Sequence, residues 1–320
     1  MRKSSKVVLV TAAAFICAGT LLMGGAWASA GFDLAKLSTV DYDWKRNERT
    51  LESEESAPHG RIVVRSDFEN VRFEQAAGDA IEIEYWTGNA QDIDIEGENG
   101  VLTLNVTSKP VDGVMLDLSP AEAGGVQDTT TVVRVPSTFA GAIEIESDAG
   151  EVFIEDLHEL AEVSISNLNG DTVLNDVSAK KLSADHQSSD AMLSNVTTDE
   201  LTVSNENGEV SLSGISTRTA EVASTNGSII LANVTASETL TCESENGEIT
   251  AQNLDAAETE VESENGDVSL SYLGSENDYR IDAYSEAGDV DTPRGNFDAS
   301  RIVHVEAING SIQIGFTGSR

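Results

Sequence analysis

Basic residues are scarce in this chain. It has 320 residues, with 19 Lys and Arg against 56 Asp and Glu, a formal charge of -37. Nucleic acid is therefore an improbable partner, because phosphate backbones need Lys and Arg to neutralise them. Close approach to an anionic membrane surface is disfavoured on the same ground. Cationic partners, divalent ions and neutral glycans stay open. Aromatic residues make up only 5% of the chain, too few for large aromatic pockets. Cysteine is nearly absent: Cys17 and Cys242 lie about 225 residues apart, so they form neither a disulfide framework nor a metal knuckle. Cys242 reads as a small buried hydrophobe. The four histidines, His59, His158, His186 and His304, are scattered without metal-ligand spacing. There is no Gly-x-Ser-x-Gly, no phosphate loop and no Cys-His cue. Acidic pairs occur everywhere and so carry no information about glycosidase chemistry. No catalytic, cofactor-binding or metal-binding residue stands out, and the chain reads as a non-enzyme.

Charge is also missing from one long run near the N-terminus. Arg2, Lys3 and Lys6 precede the uncharged stretch Val7–Ala30. As a helix at ~1.5 Å per residue, it is long enough to cross a ~30 Å hydrocarbon core. The positive residues keep that end cytoplasmic and send the rest outward. Ala28-Ser29-Ala30 fits a signal-peptidase site, whereas the length of Val7–Met23 suits a retained anchor. Residues 1–30 are therefore a signal peptide or a membrane anchor, and everything after Gly31 is expected outside, either tethered to the cell membrane in a single pass or secreted. Membrane contact is expected through this segment only. The exported part keeps 16 basic and 56 acidic residues.

What the chain has in abundance is repetition. With the glycine of each turn as position zero, zeros fall at Gly150, Gly170, Ser189, Gly208, Gly227, Gly247, Gly266, Gly288 and Gly310. The spacings are 20, 19, 19, 19, 20, 19, 22 and 22 residues. Apolar residues sit seven and five positions before zero, as at Leu201 and Val203 or Leu240 and Cys242. They return at plus two and plus four, as at Val210 and Leu212, and usually at plus seven: Leu157, Val177, Val196, Ile215, Val234, Leu254, Leu273. Period-two alternation means strands with one buried face. Asn-Gly at 207–208, 226–227, 246–247, 265–266 and 309–310 supplies turns suited to positive φ. Asn-Gly also suits antiparallel hairpins, and a sandwich or barrel is the competing fold. The fixed order of residue types in each period instead lets identical faces stack, which predicts an all-β, β-helix-like parallel β-solenoid of 19–22-residue coils over residues 137–316. Right-handed winding is the default for parallel crossovers. A small polar residue three before zero, such as Ser147, Asn167, Asn205 or Ser244, is expected to hydrogen-bond the turn. In the coil whose glycine is replaced by Ser189, His186 holds that place, which reads as a wider turn or as an irregularity marking a site.

Residues 59–136 read as less regular coils of the same design. Ile62, Val64 and Ser66, then Val71 and Phe73, fit around Glu69; Ile93, Ile95 and Gly97, then Leu102 and Leu104, fit around Gly100. Residues 106–130 have no period and read as an inserted loop. Residues 31–58 are charged and mixed, a linker or a cap over the first coil.

At this point the chain resembles the bacterial putative-adhesin family of unknown function. The resemblance rests on Phe32-Asp33-Leu34-Ala35-Lys36-Leu37-Ser38-Thr39 directly after the apolar run, and on Ser-Glu-Asn-Gly-Glu at 244–248 and Ser-Glu-Asn-Gly-Asp at 263–267. It covers roughly residues 32–314. It implies a solenoid at the outer face of the membrane, with no catalytic residues to carry over and an envelope-stress context. Asn-Gly turns, where Thr-Gly is common, and the extreme acidity are departures from that pattern.

The sharpest surface feature is the acidic turn edge. Glu151, Asp171, Glu209, Glu248, Asp267 and Asp289 stand at plus one; Asp148, Glu206, Glu245, Glu264 and Glu286 stand at minus two. Stacked carboxylates ~5 Å apart repel by about 0.8 kcal/mol in water. Such rows could collect Ca²⁺, or they are a solvated face; no other cofactor is expected. Three functions follow in order: an adhesin or interaction protein contacting a cell-envelope polymer or protein; a membrane-tethered accessory or sensor in an envelope-stress response; and a polysaccharide-active β-helix enzyme, for which 106–130 is the only generous loop.

Overall fold

The computed structural model describes residues 44–51, 60–109 and 128–318. The apolar run, the Phe32–Thr39 stretch, His59 and residues 110–127 of the expected insertion lie outside the described residues. Two compact units are distinguished. One, Met1–Trp44 with Gly88–Ala90 and Lys109–Asp128, is represented by few described residues; the other, Lys45–Thr87, Gln91–Ser108 and Thr129–Arg320, carries every described strand. Among the described residues no helix is long and apolar enough to cross a membrane.

In chain order the strands are β1 (Lys45–Leu51), β2 (Arg61–Ser66), β3 (Val71–Gln75), β4 (Ile81–Thr87), β5 (Gln91–Glu98), β6 (Val101–Ser108), β7 (Thr131–Val135) and β8 (Ala142–Ser147). Then come β9 (Val152–Asn167), β10 (Thr172–His186), β11 (Ala191–Asn205), β12 (Val210–Ser224), β13 (Ile229–Ser244) and β14 (Ile249–Ser263). Shorter strands close the chain: β15 (Val268–Tyr272), β16 (Tyr279–Ser285), β17 (Val290–Asp291), β18 (Arg301–Ala307) and β19 (Ile312–Phe316).

The repeat is a parallel β-solenoid of about nine turns. From β9 to β14 each strand pairs in parallel with the next, in the register the repeat dictates: Leu193 faces Leu212, Leu201 faces Ala220, Val203 faces Val222. One strand runs through most of a coil, bent at a corner six residues after zero. Asp156, Asp176, Asn195, Gly214, Asn233 and Asn253 stand there in the left-handed region, φ 54–66°. Asn, Asp and Gly reach that region at least cost. In the coil of Ser189 the inward residues are Ala191, Leu193, Val196, Thr198, Leu201, Val203 and Asn205, all buried. Each Val and Leu side chain so buried contributes about 1.5–3 kcal/mol. Thr198 Oγ1 donates within reach of both the Lys180 and Glu200 carbonyls, at 3.2 and 3.0 Å, so its polar atom costs little in the core.

The turn glycines do a different job from the one their Asn-Gly pairs suggest. Gly227, Gly247, Gly266 and Gly310 are not among the positive-φ residues. A Cβ at any of them would lie 1.8–2.1 Å from the carbonyl oxygen of the glycine in the coil it stacks on. Only a residue without Cβ lets the turns come this close. The asparagine beside it is equally structural. Asn226 donates to Asn207, Asn246 to Asn226, Asn265 to Asn246 and Asn309 to Asn265, each Nδ2 to Oδ1 at 3.0–3.1 Å. The result is a continuous amide ladder down the turn edge.

Coils do not stack in chain order at either end. β18 lies between β14 and β16, and β19 between β15 and β17. The coil of Gly310 is therefore inserted between those of Gly266 and Gly288, and Gly288 approaches the Gly310 carbonyl. The two 22-residue spacings mark the detour. The chain leaves β15 through Gly274 at φ 94° and a 3-10 turn at Glu276–Asp278 capped by Ser275. The plus-seven slot of this coil is filled by Tyr272, which faces Leu254; Leu273, expected there, is 43% exposed. Tyr272, Tyr279 and Phe316 close the core with ring centroids 5.1–5.5 Å apart.

The N-terminal end repeats the trick. β2 lies between β6 and β8, and β3 pairs with both β7 and β9. The expected coil around Gly100 is instead an antiparallel hairpin, β5 against β6, with Asn99 at φ 52° and Gly100 at φ 80°. Here Asn-Gly takes the hairpin geometry that the repeat suppresses elsewhere, because among the described residues β5 has no parallel neighbour to stack on. β4 pairs antiparallel with β7, and β1 with β4. Ion pairs knit this end together: Arg61 to Glu144 at 2.6 Å, Arg65 to Glu146 at 2.8 Å, and Arg134 to Glu74 and Glu84 at 2.5 and 3.3 Å.

Candidate functional site

The alternation that buries positions minus seven, minus five and minus three turns minus four and minus two outward on one face. Across the later coils those two columns line a groove of about 570 Å³. Glu243, Glu262 and Glu306 form one row; Glu206, Glu245, Glu264 and Glu286 form the other, and Asp185 sits near one end. The lining holds eight carboxylates and no Lys, Arg or His. Tyr284, 60% exposed, and Ile308, 42% exposed, give it apolar contact area. The floor is the inward polar column. Ser244 and Ser263 donate to the Gly247 and Gly266 carbonyls at 3.1 and 2.8 Å, as expected for that position. The groove is thus rigid, being built on strand backbone, with an acidic rim set at the coil repeat.

The acidic edge read from the sequence divides in two. Glu206, Glu245, Glu264 and Glu286 line the groove; Asp148 does not. The plus-one residues belong to the turns. Asp171 accepts the Asp190 amide at 3.0 Å, Asp190 that of Glu209 at 2.8 Å, and Asp267 that of Ser311 at 2.7 Å. These carboxylates satisfy main-chain donors of the neighbouring coil and so serve the stack. The minus-four row was not singled out by sequence reasoning; the period of two, followed outward from minus two, would have found it. Among the described residues no group of three or more His, Cys, Asp or Glu converges to hold a metal ion, so the Ca²⁺ expectation has no preformed cage behind it.

The described histidines stay apart. His158 is exposed. His304 lies 3.6 Å from Asp282 and 3.2 Å from Glu306. His186 is 2% exposed in the inward column, between Asn167 and Asn205. Neither of its ring nitrogens has a hydrogen-bond partner of good geometry, and the same holds for Asn167 Oδ1 and Ser189 Oγ. Burial holds its imidazole below the ordinary pKa. On its far side the turn stacks as the others do: a Cβ on Gly208 would lie 2.1 Å from the Ser189 carbonyl oxygen. Cys242 is buried, with its thiol pushed up to about 12 by loss of solvent, which makes it inert.

Solved structures that match this chain share little sequence with it. They include a putative adhesin from Bacteroides fragilis, 15% identical, covering 85% of this chain and 97% of its own with a TM-score of 0.43. A putative lipid binding protein from Parabacteroides distasonis is 14% identical, covering 87% and 99% with a TM-score of 0.48. A putative adhesin from Parabacteroides merdae is 11% identical, covering 86% and 96% with a TM-score of 0.40. No curated protein matches the chain significantly. The family model described as Toastrack DUF4097 matches residues 59–311, the span that holds nearly all of the stacked coils, and the chain belongs to that family.

Proposed function

We propose that the chain is a non-enzymatic, extracytoplasmic interaction protein that contacts cell-envelope material, polymer or protein, through its acidic groove. The observation that carries this reading is the groove itself: a rigid trough with eight carboxylates, an exposed tyrosine and no basic or imidazole group in its lining. Such a surface suits amine-bearing polymers or basic protein segments, and it repels nucleic acid and anionic lipid. On this reading residues 1–30 deliver the right-handed solenoid across the membrane and, if retained, hold it there as a single-pass anchor.

The test is co-sedimentation of residues 38–320 with cell-wall material, teichoic-type polymers and liposomes, with calcium or with chelator. Saturable pelleting with one envelope polymer, reduced when Glu245 and Glu264 become glutamine, is the expected result. Pelleting that these changes leave untouched, or none at all, defeats the groove reading. A second reading, a tethered accessory in an envelope-stress response, is favoured by the length of Val7–Met23; it requires that segment to remain on the mature protein.

A further inference from the structure

The two ends of the solenoid are finished differently. The N-terminal layers are covered by antiparallel β1, β4 and β5. The other end stops at β16, which pairs with β18 alone. The Glu286 amide donates to the Ala307 carbonyl at 3.0 Å, so by the alternation of a parallel ladder the even residues of β16 face β18. The main-chain groups of Ile281, Ala283 and Ser285 point away from it. Asn296 takes up the Tyr279 carbonyl at 2.7 Å, and Gly295 stands against Ile281; beyond them no described residue pairs with the edge. Ile281 and Ala283 are only half-buried, Val290 is 42% exposed, and Phe297 in the adjoining loop is 86% exposed. An uncovered strand edge with apolar side chains behind it is a template for another strand.

We propose that this edge pairs with the same edge of a second copy, β16 against β16 in antiparallel register about a two-fold axis through Ala283. The outward charges choose the occupant and the register. Pairing centred on Ala283 sets Arg280 opposite the second copy's Glu286, twice, and Asp282 opposite Tyr284, whose hydroxyl can donate to it. A shift of one residue toward the N-terminus sets Asp282 against Asp282. One residue further, the partner strand meets Asn296, which already occupies the Tyr279 carbonyl. A shift of one residue the other way sets Asp282 against Glu286. Arg280 and Glu286 take part in no ion pair of the protomer among those described, and both are exposed. Such an isologous contact is self-complementary, and it joins two cores end to end. It also removes the free edge from each copy.

The experiment is sedimentation of the full chain in detergent, with wild type expected to be a dimer. Arg280→Glu should weaken the dimer by about tenfold or more, since it sets Glu against Glu twice. Arg280→Glu with Glu286→Arg should restore it. Ala283→Pro removes an amide that β18 does not use and should dissociate the dimer while leaving the circular dichroism unchanged and the melting temperature equal to that of wild type diluted to monomer. A monomeric wild type overturns the proposal, as does a dimer indifferent to all three variants, which would place the contact elsewhere. The readout needs no envelope material, so its outcome is separate from that of the groove.

Discussion

Asn246 is bonded on both sides of its coil: its Nδ2 donates to Asn226 Oδ1 at 3.1 Å, and its Oδ1 accepts from Asn265 Nδ2 at 3.0 Å. Each such bond contributes about 0.5–1.5 kcal/mol net. Asn246→Ala removes two and should cost about 1–3 kcal/mol in chemical denaturation. Asn246→Asp keeps an acceptor but loses the donor, and should fall between the two.

Gly247 is fixed by distance, its hypothetical Cβ lying 2.1 Å from the Gly227 oxygen. Gly247→Ala must push two coils apart and should destabilise by about 3 kcal/mol or more. Gly78 has open space around its Cβ position, and Gly78→Ala should change the midpoint little. Equal effects at the two sites would refute the steric account.

His186 makes stability depend on pH. Its folded pKa lies below the ordinary 6.5 because burial disfavours the imidazolium. The unfolded chain therefore takes up a proton first as the medium is acidified. Stability should be full above pH 6.5 and fall below it, by at most about 1.4 kcal/mol per pH unit, levelling once the folded pKa is passed. His186→Asn, the residue found in the coils on either side, should flatten the curve between pH 7 and 5. A slope unchanged in that variant would assign the effect to other groups.

Cys242 should be silent in the native state. With its thiol buried and pushed up to about 12, it should react with a thiol reagent only as fast as the core opens, and fully in denaturant. Fast labelling of the folded solenoid would mean that the coil of Gly247 is looser than its packing indicates.

The inward columns were legible in the sequence because burial imposes them on every coil alike. Leu201 and Val203, Val210 and Leu212, and the Ser and Asn residues at minus three all occupy the places their spacing assigns. Neighbour order was not legible, and for the same reason: coils with identical faces stack on one another equally well, so the pattern cannot say whether Gly266 meets Gly288 or Gly310. Only the 22-residue spacings hinted at the detour. The misplacement of Leu273 has a related cause. The coil of Gly266 lacks the left-handed corner residue, which shifts Tyr272 into the core by one place. The hairpin at Asn99-Gly100 carries the same dipeptide as the stacked turns, and only the absence of a parallel neighbour distinguishes it. In the groove, the minus-two carboxylates were readable one by one; their union with Glu243, Glu262 and Glu306 depends on how the coils lie side by side.

A stack of equivalent coils ordinarily unravels from its tips, one coil at a time. The inserted coils change the order of that route, because the outermost coil is not the last in sequence. Residues 301–316 run inside the outermost layer, so the last-made coil cannot lift away unless the coil of Gly288 lifts with it. At the other end β2 and β3, among the first strands made, are held beneath β6 and β7 in the same manner. During folding the coil of Gly288 has no seat until the coil of Gly310 has docked. The strands nearest each end of the stack are thus threaded one layer inward, and β18 and β19 come free only after the coil of Gly288 has been displaced from them.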